Sequence, residues 1–202
     1  MQNGYALYDP ENLKVLCLTK GKRGVELIPL KETANLERAL CLKDLTSIKG
    51  IYERFKKNDL TKDLILIWGD IPFISRKTLF SLVSAHISNE NIFTFASRNV
   101  DSAYTIVNRD NRGKVVSVLE TREEKLPGRP GERDIGLFVF NKNIILKLLM
   151  EDLPGKWGSL TSEHGFLYLI KHLASRGYRV EALPIASKKE LISLNKISDL
   201  KS

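Results

Sequence analysis

The stretch that most restricts the fold is residues 64–75, LILIWGDIPFIS, in which an apolar run leads directly into Gly69-Asp70. An apolar run without alternation is typical of a strand covered on both faces, as the strands of parallel sheets are. Asp70 would then stand at the carboxyl end of that strand, which is the edge where open α/β sheets bind ligands. The aspartate is therefore a candidate metal or substrate ligand, with a role as acceptor in a strand-to-helix turn as the alternative.

Length and composition favour a soluble globular protein. The chain has 202 residues, of which 43% are hydrophobic and 28% charged, so it can bury a core and lacks the composition of a disordered chain. No apolar run approaches the roughly 20 residues that cross a bilayer, and the first residues lack a basic and apolar leader pattern. We therefore expect a cytoplasmic protein.

The charge of the chain suits anionic ligands. Lysine and arginine number 32 against 24 aspartates and glutamates, a formal net charge of +8. Cations lower the cost of gathering phosphate oxygens, so the balance fits a phosphate-rich ligand or a nucleic acid. The basic residues lie in short, scattered clusters with few aromatic residues among them, which disfavours nucleic acid.

Cysteine and histidine do not indicate a metal centre. Cys17 and Cys41 are too few for a disulfide framework, and His86, His164 and His172 have no zinc-ligand spacing among themselves or with the cysteines. We therefore expect no zinc site.

Apolar periodicity predicts alternating strands and helices, and hence an α/β sheet with right-handed crossovers. The predicted strands are 14–19, 64–68, 91–97, 135–140 and 178–185, and the predicted helices are 43–57, 75–87, 143–151, 162–176 and 187–192. Residues 104–120 predict a hairpin, because the Asp, Asn and Gly of its turn at 109–113 supply the necessary backbone freedom. The polar segment 121–134 predicts a mobile loop before the next strand.

The order of these elements and four motifs within it resemble the bacterial sugar-1-phosphate nucleotidyltransferases, most of all the pyrophosphorylase domains of N-acetylglucosamine-1-phosphate uridylyltransferases. The motifs are Gly-Asp-Ile-Pro at 69–72, Glu120 at the end of the hairpin, Asp134-Ile135-Gly136, and Asn195 after a late helix. The resemblance extends from about Val15 to Leu200. It implies a doubly wound, Rossmann-like mixed sheet of the nucleotide-diphospho-sugar transferase type, in one domain over residues 1–202.

The resemblance also implies metal and sugar ligands. Asp70 and Asn195 match the two Mg²⁺ ligands of the family, and Glu120 matches its sugar-contacting glutamate. Asp134 stands where the family has a sugar-contacting asparagine, and Thr105 where it has a glycine that lets the sugar approach closely. Mg²⁺ suits such a site because it prefers a few oxygen ligands completed by waters and phosphates.

Two of these residues and a nearby lysine have alternative interpretations. Asn195 would by itself be a helix cap or turn residue, and Glu120 would pair with Lys114 or Arg122 on the surface. Lys156 lies near a substrate contact of the family, but the surrounding sequence does not align with it.

The nucleotide-binding part departs from the family pattern. Thr46 and Ser47 stand at the Gly-Thr that lies beside the nucleotide base, and Gly69 precedes the metal-binding aspartate. The opening strand and the glycine-rich phosphate loop of the family do not precede Val15, and the glycines at 21–24 are interpreted as a turn. The sequence therefore predicts an N-terminally truncated or divergent domain whose sheet is short at its centre. Such a sheet would expose apolar surface and aggregate, or recruit a second copy or a complementing chain.

The sequence supports functions of three classes. The first is transfer of a nucleotidyl group from a nucleoside triphosphate, with UTP as the expected donor, to a sugar 1-phosphate, with Mg²⁺ as cofactor. The second is a non-catalytic sugar-nucleotide-binding or regulatory homologue, or an inactive fragment, because the triphosphate would lack its backbone cradle. Nucleic-acid binding is the least supported, and no membrane partner is expected.

Overall fold

The computed structural model describes the backbone of residues 4–9, 14–19, 25–29 and 40–42, and both backbone and side chains of residues 63–68, 71, 73–162 and 165–193. The strands are β1 (Gly4–Asp9), β2 (Lys14–Thr19), β3 (Val25–Pro29), β4 (Leu40–Leu42), β5 (Asp63–Trp68), β6 (Phe93–Ala103), β7 (Thr105–Arg109), β8 (Val115–Glu120), β9 (Arg129–Asn141) and β10 (Val180–Leu183). The helices are α1 (Arg76–Ser88), α2 (Lys142–Met150), α3 (Tyr168–Ser175) and a 3-10 helix at Lys188–Leu191. No helix in this part of the chain is long and apolar enough to span a bilayer.

Eight of the described strands form one sheet in the order β10-β6-β9-β5-β1-β2-β3-β4, and β7 pairs with β8 in a separate hairpin. Strand β10 runs parallel to β6, whereas the other neighbours in the large sheet are antiparallel. The predicted α/β class is therefore confirmed, and so is the predicted hairpin.

Strand β5 is covered on both faces, as the sequence predicts. Leu64 and Leu66 pack with α2 and α3 on one face, and Ile65 packs with α1 on the other. The prediction of parallel neighbours was wrong, because β9 and β1 both run antiparallel to β5. An unbroken apolar run reports that helices cover both faces, and it carries no information about the direction of the adjacent strands.

The other side of β5 is occupied by strands from the start of the chain. Strand β1 pairs with β5, and β2, β3 and β4 extend the sheet as successive antiparallel neighbours. The predicted strand over 14–19 is confirmed as β2. Strand β1 thus lies at the centre of the sheet, where the sequence predicts that a strand is missing. The predicted helix over 43–57 lies outside the described residues.

Helix α1 follows β5 and begins at a good capping residue. The Ser75 hydroxyl accepts a 3.1 Å hydrogen bond from the N–H of Thr78, which satisfies one of the free donors of the first turn. The face predicted to be apolar packs on the sheet, with Leu82 and His86 buried. His86 Nδ1 lies 2.9 Å from the Thr94 hydroxyl, so this histidine is part of the core.

Two predicted boundaries in the second half of the chain were wrong. The loop predicted over 121–134 ends earlier, because β9 begins at Arg129 and continues along β6. The helix predicted over 162–176 is present only as α3, and Ser162 adopts a φ of 55°. Phe166 contributed to the helical pattern and lies before the helix, yet it packs edge-on against Phe138 with 5.4 Å between ring centroids. The apolar spacing therefore indicated correctly that Phe166 is partly buried against the core, but it overestimated the length of the helix.

Candidate functional site

A cavity of about 660 Å³ lies beside the hairpin. Its walls come from the end of β5 at Trp68, from β9 at Gly136, from the hairpin, and from residues within 154–161 and 165–168, before and at the start of α3. The volume is within the roughly 300–1,000 Å³ typical of small-molecule sites. It is the position at which the sequence predicts a ligand, since the carboxyl end of β5 opens into it.

The structure brings the three predicted sugar-contacting residues together. Thr105 is the first residue of β7 and lies directly opposite Glu120, the last residue of β8. The Thr105 hydroxyl donates a 2.6 Å hydrogen bond to Asp134 Oδ1 on β9. Thr105 and Glu120 line the cavity, whereas Asp134 is only 2% exposed and contacts Thr105 from within the protein.

Both oxygens of the Asp134 carboxyl group accept hydrogen bonds. Oδ1 accepts from Thr105, and Oδ2 accepts from the N–H of Gly136 at 2.9 Å. Burial raises the pKa of Asp134, while these two hydrogen bonds and the positive charge of Arg133 act in the opposite direction. The Asp134 side chain therefore fixes the positions of Thr105 and Gly136, which line the cavity.

Gly136 allows β5 and β9 to approach closely at the cavity. Its φ is +77°, and a Cβ atom there would lie 3.0 Å from Cγ of Trp68. The register between β6 and β9 shifts at this point, between Phe95 and Ser97 on β6. A glycine in a bulge supplies both the left-handed backbone and the missing side-chain volume, which explains the Asp-Ile-Gly motif.

Arg133 was missed by sequence reasoning, although it lies between two of the site motifs. Its guanidinium carbon stands 3.9 Å from the centroid of the Tyr104 ring, and its Nη2 donates to the Tyr104 hydroxyl. Nε donates a 3.1 Å hydrogen bond to the carbonyl of Asp134. The buried cation thus fixes the orientation of Tyr104, which lines the cavity.

An ion pair attaches β7 to β9 at the end of β7 that is distant from Thr105. Arg109 donates two hydrogen bonds of 2.8 Å to the two carboxylate oxygens of Glu132. Glu132 Oε1 also accepts from the Ser97 hydroxyl at 2.5 Å. The hydrogen bond to Glu132 is the main reason that the pKa of Arg109 is raised. With the Thr105–Asp134 contact, this pair fixes β7 at both of its ends.

Glu123, which follows the hairpin, was also missed. Its Oε2 accepts a 2.9 Å hydrogen bond from the N–H of Leu160, and its Oε1 accepts a 2.7 Å hydrogen bond from the Thr161 hydroxyl. The hydrogen bonds from Leu160 and then Thr161 lower its pKa, partly opposed by burial. These contacts join the segment after the hairpin to the part of the cavity wall that carries Trp157, a residue with 58% of its surface exposed.

Lys156 has a structural role. Its ammonium group donates hydrogen bonds of 2.9 Å to the carbonyl oxygens of Leu149 and Glu151. These carbonyls lie at the C-terminal end of α2, where a helix has acceptors without intrahelical partners. The lysine therefore caps α2.

The remaining predicted site residues, Thr46, Ser47, Gly69, Asp70 and Asn195, lie outside the described residues. Three of their sequence neighbours are described by the structure and line the cavity: Trp68, Ile71 and Ser193. Across the residues with described side chains, no group of three or more histidine, cysteine, aspartate or glutamate side chains could hold a metal. The proposed metal ligands therefore stay predictions.

The chain is similar in sequence to curated proteins named bifunctional protein GlmU. It is 26% identical over 138 residues to the protein of Carboxydothermus hydrogenoformans and 29% identical over 140 residues to that of Corynebacterium efficiens. The matches cover 66% and 65% of this chain but only 30% and 27% of those relatives, so the chain spans less than a third of their length. These matches confirm the resemblance to the sugar nucleotidyltransferases.

Two solved structures show a more distant likeness. The 4-diphosphocytidyl-2C-methyl-D-erythritol synthase of Anaerococcus prevotii is 15% identical with a TM-score of 0.46, over 78% of this chain and 64% of that one. A CMP:2-keto-3-deoxy-manno-octonic acid synthetase complexed with CTP is 16% identical with a TM-score of 0.48, over 72% of this chain and 62% of that one. No family model matches the chain.

Proposed function

We propose that this chain is a single nucleotidyltransferase-like domain that transfers a nucleotidyl group from a nucleoside triphosphate, with UTP as the expected donor, to a sugar 1-phosphate. The products would be a nucleotide sugar and pyrophosphate. The observation that carries the proposal is the meeting of Thr105 and Glu120 at one cavity, with the buried Asp134 hydrogen-bonded to Thr105. The family resemblance pointed to these three positions, and the similarity to the GlmU proteins supports the same class of activity.

The cavity has the chemical features of a sugar subsite. The carboxylate of Glu120 can accept hydrogen bonds from sugar hydroxyl groups, with the Thr105 side chain beside it. Tyr104 and Trp157 add aromatic surface to the same walls. Aromatic rings offer apolar faces to the C–H groups of a pyranose, while a few polar groups fix the orientation of the ligand.

Mg²⁺ is the proposed cofactor, with Asp70 and Asn195 as its ligands. Ile71 follows Asp70 in the sequence, and Ser193 lies two residues before Asn195. Ile71 and Ser193 both line the cavity. A carboxylate and an amide oxygen suit Mg²⁺, which when bound neutralises phosphate charge and keeps several waters.

The charges around the cavity agree with a need for a metal. Among the described wall residues, Arg122 and Lys171 are cationic and Glu120, Glu123 and Glu124 are anionic. A triphosphate would meet an unfavourable balance there without an added cation. Arg122 and Lys171 are the proposed phosphate contacts on the protein side.

The test is pyrophosphate release by the purified chain with Mg²⁺, UTP and N-acetylglucosamine 1-phosphate. We expect turnover that Glu120→Gln reduces by about 100-fold, because a charged acceptor for the sugar is lost. Glu90→Gln is the matched control, since Glu90 is an exposed glutamate in the turn after α1. Absence of turnover with a panel of sugar 1-phosphates and nucleoside triphosphates would overturn the proposal. Stabilisation by the nucleotide sugar without turnover would favour the non-catalytic homologue.

A further inference from the structure

We infer that Glu123 is a positioning residue that holds the Trp157 loop, residues 154–162, as the aromatic wall of the sugar subsite. The inference rests on the proposed function for the identity of the ligand. It adds a residue that none of the matched motifs includes, and it assigns the sugar-facing role to Trp157, the sequence neighbour of Lys156.

The contacts of Glu123 engage three consecutive residues of the loop. Its carboxylate oxygens accept hydrogen bonds from the N–H of Leu160 at 2.9 Å and from the hydroxyl of Thr161 at 2.7 Å. Its backbone carbonyl accepts a 2.9 Å hydrogen bond from the Ser159 hydroxyl. Hydrogen bonds to a charged acceptor are stronger than those between neutral groups, so this residue alone supplies a strong attachment.

Backbone hydrogen bonds also connect Glu123 and its neighbour Thr121 to the hairpin. The N–H of Glu123 donates a 3.1 Å hydrogen bond to the carbonyl of Glu120, the last residue of the hairpin. Thr121, between them, donates from its N–H to the carbonyl of Tyr104 at 2.9 Å. Glu123 therefore transmits the position of the hairpin to the Trp157 loop across the cavity.

Gly158 gives an independent sign that the loop closes tightly on this carboxylate. A Cβ atom at Gly158 would lie 2.7 Å from Cδ and Oε1 of Glu123 and 2.4 Å from the Thr161 hydroxyl oxygen. Only a glycine leaves room for the carboxylate to reach its donors. The same loop is closed by a 3.0 Å hydrogen bond from the N–H of Ser162 to the carbonyl of Gly158.

The role of Glu123 is positional because each of its carboxylate oxygens already accepts a hydrogen bond from the loop. The group that meets the ligand is Trp157, whose indole is 58% exposed and lines the cavity. A loop fixed before binding costs less conformational entropy when the ligand arrives. Loss of the attachment should therefore weaken sugar binding much more than it slows the chemical step.

The test measures hydrogen–deuterium exchange of the loop in the whole chain. In Glu123→Ala we expect the amides of Leu160 and Thr161 to exchange about tenfold faster, with the amides of β9 unchanged as evidence of an intact fold. Glu124→Ala is the matched control for the charge, because Glu124 is the adjacent exposed glutamate.

A second pair of variants tests the same contact from the loop side. Gly158→Ala should accelerate the same amides, because the added methyl group displaces the Glu123 carboxylate. Gly165→Ala is its control, since a Cβ atom there would have only ordinary contacts, the nearest at 3.7 Å.

Exchange and kinetics separate the inference from the proposed function. Faster exchange confined to the Trp157 loop supports the attachment even if the wild-type chain shows no turnover, and unchanged exchange in Glu123→Ala overturns it. In an active enzyme, we expect KM for the sugar 1-phosphate to rise about tenfold with kcat within about twofold. An unchanged KM despite faster exchange would overturn the positioning role.

Discussion

The hydroxyl group of Thr105 and the carboxyl group of Asp134 are joined by a 2.6 Å hydrogen bond between the hairpin and the main sheet. Each residue departs from the family pattern, in which glycine and asparagine stand at the two positions. The structure shows that these two residues are in contact with each other. The threonine supplies a hydroxyl donor to an oxygen of a buried carboxyl group.

Removing the Thr105 donor should destabilise the chain. Thr105→Val keeps the shape of the side chain but leaves Asp134 Oδ1 buried without its hydrogen bond, which we expect to cost about 1–3 kcal/mol of the free energy of unfolding. Urea denaturation measures the change. Thr105→Ser retains the hydroxyl and serves as the control, so an equal loss in both variants would assign the effect to packing.

Asp134 should give the chain a distinct pH dependence. Burial raises its pKa above the ordinary value of 3.8, so the folded chain keeps this proton to higher pH than the unfolded chain does. The group therefore favours folding at low pH, and that advantage is lost as the pH rises through the raised pKa. Asp134→Asn should remove this dependence from unfolding free energies measured between about pH 4 and about pH 7. A curve parallel to the wild type would contradict the assignment.

A methyl group at Gly136 should disturb the junction of β5 and β9. Gly136→Ala places a Cβ atom 3.0 Å from Trp68 Cγ at a backbone φ of +77°. We expect a loss of about 2–4 kcal/mol, from backbone strain and overpacking together, with a shift in tryptophan fluorescence. Gly113→Ala is the control for strain alone, because φ there is +79° and nothing lies within 4 Å of the added atom. Equal losses in the two variants would show that the contact with Trp68 is unimportant.

Glu190 should make the chain sensitive to acid. Burial acts to raise its pKa, but hydrogen bonds led by those from the N–H groups of Ser75 and Ser187 outweigh it and lower the pKa to about 2. Because the folded pKa is depressed, the stabilisation is present above the ordinary value of 4.5 and is lost as the pH falls toward about 2.

The carboxylate of Glu190 joins the 3-10 helix to the start of α1. Glu190→Gln should therefore lower the free energy of unfolding at neutral pH by about 1–3 kcal/mol and flatten the acid limb of the stability curve. The measurement is urea unfolding at several pH values. An acid limb that keeps its slope in the variant would show that other carboxylates are responsible.

Much of the fold could be predicted from local patterns. Strand β5, helix α1 and the β7–β8 hairpin follow from an apolar run, apolar residues at helical spacing and turn residues, all of which act over short distances. The direction of the neighbours of β5 and the true start of β9 could not be predicted, because pairing partners are distant in sequence. Phe166 shows why the last long helix was overestimated, since a buried loop residue can continue a helical pattern.

The candidate site divides in the same way. The family resemblance singled out Thr105, Glu120 and Asp134, and the structure brings them together, while their role as sugar contacts stays a prediction. Glu123 could not be predicted, because its partners Leu160 and Thr161 are 37 and 38 residues away in sequence. The roles of these residues depend on contacts that form only when the hairpin and the loop meet across the cavity.

The attachment of β7 to β9 at both ends has a consequence for ligand exchange. Thr105 binds Asp134 at one end of the strand, and Arg109 binds Glu132 at the other. A strand attached at two points cannot swing outward unless both attachments break together. The β7 side of the cavity is therefore a fixed wall, and a bound molecule could displace this strand only by breaking the Thr105–Asp134 and Arg109–Glu132 contacts at the same time.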